Sequence, residues 1–342
     1  MSADRNILDF PGSGRSPEQL GGEPFDGPSA KIFDLETRRT SSEQKPEDVL
    51  FSDEPVDAKS DFDPGEVIAF DGESKVGRGT FRWQVLVPEN RRYDGIAYYK
   101  NGLSGIYGSS LVPAQAIANQ GIVVARLELP RRGNSRREDM FAPQKVHVES
   151  FDAAGQDIAE HTGIMELLSG NIDLDKRLLL GYSMGNQSAL LEARRHASRT
   201  HIAFSLAGTG YYHPTLSEIM SDAVSGGVPM LRHDVLNTLL GGGFEPTIEN
   251  ARDLFHYWRK ARVIAEIVSC LTYNVIPVAE KARELGVKTA HQAYQHDALV
   301  RPDARVAQLV DFHEVLPNVG HFAPMRKART VAERVANFVL SV

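Results

Sequence analysis

From residue 65 onward the apolar residues fall into short blocks, separated by polar turns that carry glycine and proline. Val67-Ile68-Ala69-Phe70, a turn at Asp71-Gly72, and the alternating run Thr80 to Val87 predict two strands, the second closed by Pro88-Glu89-Asn90. Ile96-Ala97-Tyr98-Tyr99 predicts a third, running into Lys100-Asn101-Gly102-Leu103. A helix over Leu111–Asn119 and a buried strand over Gly121–Leu127 follow. Phe151–Leu168 places Ile158, Ile164, Leu167 and Leu168 at roughly helical spacing. Arg177–Leu180 predicts a strand and Gln187–Ser198 a helix. Three further strands fall at Ile202–Leu206, Thr289–Tyr294 and Phe312–Leu316, with a closing helix over Ala328–Val339. Strands alternating with helices predict an α/β fold: a doubly wound, mostly parallel sheet.

Two stretches break this rhythm. Residues 213–285 show no strand signal and read as short helices interrupted by Gly226-Gly227 and Gly241-Gly242-Gly243. They are too long for a loop, which predicts a helical cap inserted into a core of 65–212 and 286–342. Met220, Phe244, Tyr257 and Trp258 in this stretch could line an acyl pocket, or equally pack helix on helix. Residues 1–64 carry seven prolines and 15 acidic against 7 basic residues. Such a composition buries too little apolar surface to offset chain entropy, so it predicts a disordered or loosely draped arm. Its apolar islands Ile7-Leu8-Asp9-Phe10 and Lys31-Ile32-Phe33-Asp34-Leu35 are candidate docking points for a partner or a second copy of the chain.

The total charge is −7 and the arm holds −8 of it, leaving about +1 for the rest. A near-neutral body without a basic face excludes nucleic acid as the expected partner. No apolar run reaches the ~18 residues of a membrane span, and no apolar segment follows the N-terminus, so neither membrane insertion nor secretion is expected. Cys270 is the single cysteine, which excludes an internal disulfide and cysteine metal clusters and makes a cytoplasmic location the default. Phosphate-binding, dinucleotide-binding and zinc-protease motifs are absent, so no cofactor or metal is expected.

The chemistry concentrates at Gly181-Tyr182-Ser183-Met184-Gly185. A buried strand before this G-x-S-x-G and a helix after it are the context in which a serine is held on a strained turn, its hydroxyl exposed above the sheet. Downstream, Asp297 lies in Tyr294-Gln295-His296-Asp297-Ala298-Leu299-Val300-Arg301-Pro302, and His321 in Gly320-His321-Phe322, just after the last strand. Asp303, the nearest rival acid, reads as a helix start. No carboxylate follows the Ile202 strand, where Leu206-Ala207-Gly208-Thr209-Gly210 runs instead.

These loops resemble those of the α/β-hydrolase superfamily, from Val67 to Val342. Leu129-Pro130-Arg131-Arg132-Gly133-Asn134-Ser135 looks like the superfamily's L-P-G-x-G-x-S loop, and Asn101-Gly102-Leu103 occupies its His-Gly-x slot with asparagine for histidine. The resemblance implies Ser183 as nucleophile, His321 as base, Asp297 as orienting acid, and the backbone N–H groups of Leu103 and Met184 as oxyanion donors. The expected activity is hydrolysis of a small to medium carboxylic ester or thioester, the partner being a small acyl substrate. An amidase or peptidase, an acyltransferase, a perhydrolase or a non-catalytic scaffold would share the same turn.

Overall fold

The computed structural model describes residues 67–76, 79–102, 110–127, 143–168, 172–211, 273–295, 297, 300 and 302–342. The arm at 1–64, residues 213–272 of the predicted cap and the loop at 129–135 lie outside the described residues. Among the described residues eight strands form one sheet: β1 (Val67–Val76), β2 (Gly79–Pro88), β3 (Ile96–Lys100), β4 (Val123–Leu127), β5 (Arg177–Tyr182), β6 (Thr200–Leu206), β7 (Lys288–Tyr294) and β8 (Phe312–Leu316). Their order is β1-β2-β4-β3-β5-β6-β7-β8. Only β2 pairs antiparallel, with β1 and with β4; every other pair is parallel. The sheet is therefore doubly wound and mostly parallel, as the alternation of strands and helices predicts.

Seven α-helices accompany it among the described residues: α1 (Leu111–Ala118), α2 (Pro143–Glu160), α3 (Thr162–Leu168), α4 (Gly185–Arg195), α5 (Ile276–Glu284), α6 (Ala323–Arg326) and α7 (Ala328–Val339). Every residue of β3, β4 and β5 is buried, which is why these strands read as near-continuous apolar runs. Alternate side chains serve opposite faces. Ala97, Tyr99, Leu178 and Leu180 pack with α1, α6 and α7. Ile96, Tyr98 and Leu179 pack with α2, α3, α4 and α5. On α7, Val331, Ala332, Val335, Ala336 and Val339 form the inward stripe that three- and four-residue spacing demands.

Two sequence expectations are corrected. Asp71-Gly72 does not turn the chain: β1 continues through it, paired with β2 from Val67↔Pro88 to Val76↔Gly79. Gly72 stands opposite Trp83, and a Cβ there would collide with the indole. The glycine admits the ring and bends nothing. Likewise, the helix predicted over Phe151–Leu168 begins earlier, at Pro143, and is divided at His161. The His161 Nδ1 accepts the Ile164 N–H at 3.2 Å, and its ring lies edge-on against Phe70 and Trp83. The histidine thus caps α3 while closing the apolar corner beneath β1.

At the other end of the sheet, His291 on β7 and His313 on β8 stack with ring centroids 5.2 Å apart and Nδ1 atoms 3.2 Å apart. Tyr211 closes the His291 ring edge-on at 5.3 Å. One Nδ1 must donate and the other accept, so the two rings cannot both be imidazolium, and burial favours the neutral form of each. Burial, reinforced by His313, pushes His291 down to about 3; burial lowers His313 as well, with Asp303 opposing. A base whose folded pKa is depressed contributes fully above its ordinary value, and that contribution is lost as pH falls towards the folded pKa. Stability from urea unfolding should therefore decline as pH is lowered from 7 to 4. In His291→Leu the decline should be shallower, by up to about 1.4 kcal/mol per pH unit. Identical slopes would contradict the neutral stacked pair.

Candidate active site

Between the end of β5 at Tyr182 and the start of α4 at Gly185 only Ser183 and Met184 remain to reverse the chain. Ser183 adopts φ +52°, the left-handed region that side chains other than glycine rarely occupy. Its backbone is pinned on both sides. The Ser183 N–H donates to Leu206 O at 2.9 Å. The Ser183 carbonyl accepts the N–H of Asn186 at 3.1 Å, the N–H of Thr209 at 3.2 Å and the Thr209 hydroxyl at 3.4 Å. Thr209 is itself held by α4: Gln187 Nε2 donates to its Oγ1, and Asn186 Nδ2 to its carbonyl, each at 3.1 Å. The first turn of the helix and the turn after β6 thus clamp the serine from two directions.

The flanking glycines are required by close approach. A Cβ on Gly181 would lie 2.5 Å from Asn186 Cα and 2.7 Å from its nitrogen; one on Gly185 would lie 2.6 Å from the Asn101 carbonyl oxygen. Gly102, at the end of β3, packs beside the Ser183 side chain, with room for a Cβ only 2.9 Å from Ser183 Cβ. β3, the turn and α4 therefore touch backbone to backbone.

The acid and the histidine arrive on the loops after β7 and β8. The Asp297 Oδ1 accepts the Val300 N–H at 2.7 Å. The Gln295 side-chain oxygen accepts the Asn318 N–H at 2.9 Å, which ties the two loops together. His321 is fixed by Tyr182, whose hydroxyl donates to the His321 carbonyl at 3.1 Å and whose ring lies 5.2 Å from the imidazole. The result is a relay. Asp297 Oδ2 lies 2.7 Å from His321 Nδ1, and His321 Nε2 lies 3.1 Å from Ser183 Oγ. Ser183, Asp297 and His321 are 7%, 4% and 5% exposed, so bulk water screens the relay little. A carboxylate at Nδ1 selects the tautomer with its proton there, which leaves Nε2 as acceptor for the serine hydroxyl.

The structure thus brings together Ser183, Asp297 and His321, which are 138 and 24 residues apart along the relay. Met184 stands at the N-terminal end of α4, where helix N–H groups have no intrahelical acceptor. Leu103 lies outside the described residues. Asp303 is turned away into a local role, accepting the Arg305 N–H at 2.9 Å as the cap of a short 3₁₀ segment over Ala304–Gln308. Among the described residues, no group of three or more His, Cys, Asp or Glu could hold a metal ion. Sequence reasoning missed Thr209 and Tyr182. Leu206-Ala207-Gly208-Thr209-Gly210 carries no carboxylate to mark it, and Tyr182 is a variable position of the motif. Gly185→Ala should lower the unfolding free energy by about 1–3 kcal/mol, because the new methyl meets backbone that cannot yield without shifting β3 or α4. A denaturation midpoint equal to that of the wild type would contradict the close approach.

No family model and no curated protein matches the sequence. Solved structures do. Proline iminopeptidase from Mycobacterium smegmatis superimposes with a TM-score of 0.56 at 16% identity, over 80% of this chain and 98% of its own. Naproxen esterase, a carboxylesterase from Bacillus subtilis, gives 0.50 at 16% identity over 80% and 93%. Bromoperoxidase from Bacillus anthracis gives 0.52 at 12% over 80% and 100%. At such identities the likeness speaks for architecture and not for reaction. Sheet order, the strained serine turn and these superpositions agree: the chain has the α/β-hydrolase fold.

Proposed function

We propose that the chain is a serine hydrolase that cleaves a small to medium carboxylic ester or thioester through an acyl-enzyme on Ser183. The observation that carries the reading is the buried relay from Asp297 Oδ2 through His321 to Ser183 Oγ. A serine hydroxyl is a weak nucleophile until a base takes its proton, and an imidazole is a useful base only in the right tautomer. In the proposed cycle His321 Nε2 removes the hydroxyl proton as Oγ attacks the substrate carbonyl carbon. The carbonyl π-electrons move onto oxygen, and Asp297 stabilises the imidazolium. Collapse of the tetrahedral species expels the alcohol or thiol, which takes the proton from His321. Water then enters, gives its proton to His321, and attacks the acyl carbon; a second collapse returns that proton to Ser183 and releases the acid. The N–H of Met184 and that of Leu103 are the proposed oxyanion donors, with the end of α4 adding its dipole.

The ester reading draws support from the esterase among the structural neighbours; the peptidase and the bromoperoxidase mark other reactions carried by the same fold. Purified wild-type protein should hydrolyse p-nitrophenyl acetate, and Ser183→Ala should lose about three or more orders of magnitude in kcat while remaining folded. Equal rates from the two proteins would overturn the assignment. Esters, thioesters and amides of short and long acyl chains, compared by kcat/KM, would rank the substrate classes, and an amide preferred over every ester would refute the ester reading.

A further inference from the structure

Lys100, the last residue of β3, directly precedes Asn101-Gly102, the strand end that touches the serine turn. A lysine at a strand end ordinarily reaches water. This one is buried completely and pairs with Glu192 of α4, which is buried completely too. The Lys100 ammonium also sits 3.6 Å from the centre of the Phe151 ring on α2. Glu192 has a second cation, Arg177 at the start of β5, at 3.4 Å. Arg177 lies over the Tyr98 ring and 3.9 Å from Asp152 of α2, which His196 approaches at 3.0 Å. Burial drives the lysine pKa down and Glu192 opposes that. Two cations from β3 and β5 thus meet one carboxylate from α4 and one from α2.

Ion pairs this deep are weak evidence for stability, because desolvation cancels much of their attraction. Their geometry is more informative. The backbone of Lys100 and Asn101 abuts Gly185, the first residue of α4. The Lys100 side chain meets Glu192, seven residues or about two turns further along the same helix. One residue therefore grips α4 at two points about 10 Å apart along its axis. The backbone contact holds the first turn of α4, and the ion pair ties its third turn to the same strand end.

We infer that Lys100 and Glu192 are positioning residues, which lock the β3 strand end carrying Asn101-Gly102 against the serine turn so that the oxyanion site keeps its geometry. This rests on the serine hydrolase reading. Both side chains are buried completely, out of reach of a substrate at the Ser183 hydroxyl. Their effect passes through the strand end and the helix, and it is felt in the transition state, where small misplacements of fixed donors slow the reaction most.

The test separates positioning from stability. Lys100→Met leaves a buried carboxylate short of a partner and should lower both the thermal midpoint and kcat. Lys100→Met/Glu192→Met removes both charges and leaves Arg177 its contact with Asp152. Its thermal midpoint should return to within about 3 °C of wild type, whereas kcat on p-nitrophenyl acetate stays about 10–100-fold low with KM within about threefold and the pH profile unmoved. A double variant with both wild-type stability and kcat within about twofold of wild type would overturn the inference. If that variant does not fold, Glu192→Gln, of the same shape without the charge, decides by the same split: lower kcat at constant KM supports positioning, and unchanged kcat overturns it. A wild-type protein with no hydrolase activity would sink the functional reading instead. Hydrogen exchange then decides this one: residues 96–102 should exchange at least about tenfold faster in the folded variant while β6 is unaltered, and unchanged protection would overturn it.

Discussion

The architecture depends on keeping one non-glycine residue, Ser183, in the left-handed backbone region. Such a conformation costs on the order of 1–3 kcal/mol and persists only where the surroundings over-determine it. Here they do. Its N–H and carbonyl engage Leu206, Asn186 and Thr209, two of which lie on or just after β6. The glycines at 181 and 185 follow from the same requirement, since a sharp strand-to-helix reversal needs backbones in direct contact. The return is a hydroxyl aimed at a histidine delivered by a loop at the far edge of the sheet.

Much of this was legible in the residues. Strands with both faces buried, such as Arg177–Tyr182, announce themselves as unbroken apolar runs, and the Gly-x-Ser-x-Gly turn is confined by sterics that leave few alternatives. The separation of Asp297 from Asp303 was legible because Pro302-Asp303 carries the signature of a capped turn. Where the reading failed, a long-range partner overruled a local signal. Asp71-Gly72 has turn composition, yet its glycine answers Trp83 on the neighbouring strand. His161 sits in a helical pattern, yet its ring serves as a cap and an aromatic wedge. No periodicity could reveal either.

The buried charges were the least legible feature. Lys100 and Glu192 carry residue types that usually mark solvated surface, and nothing in their spacing, 92 positions apart, links them. Thr209 is similar: a hydroxyl in a glycine-rich turn gives no sign that it holds the carbonyl of the serine turn. Local sequence thus discloses the residues placed for chemistry more readily than those that hold them in place, because support is a tertiary property.

In the proposed function Ser183 is the one activated nucleophile, made so by Asp297 and His321. Peptide mapping by mass spectrometry after reaction of the folded protein with a fluorophosphonate tests it most directly. A single adduct is expected, on Ser183, that fails to form in His321→Ala. Modification of a different residue, or folded wild-type protein left unmodified, would contradict it.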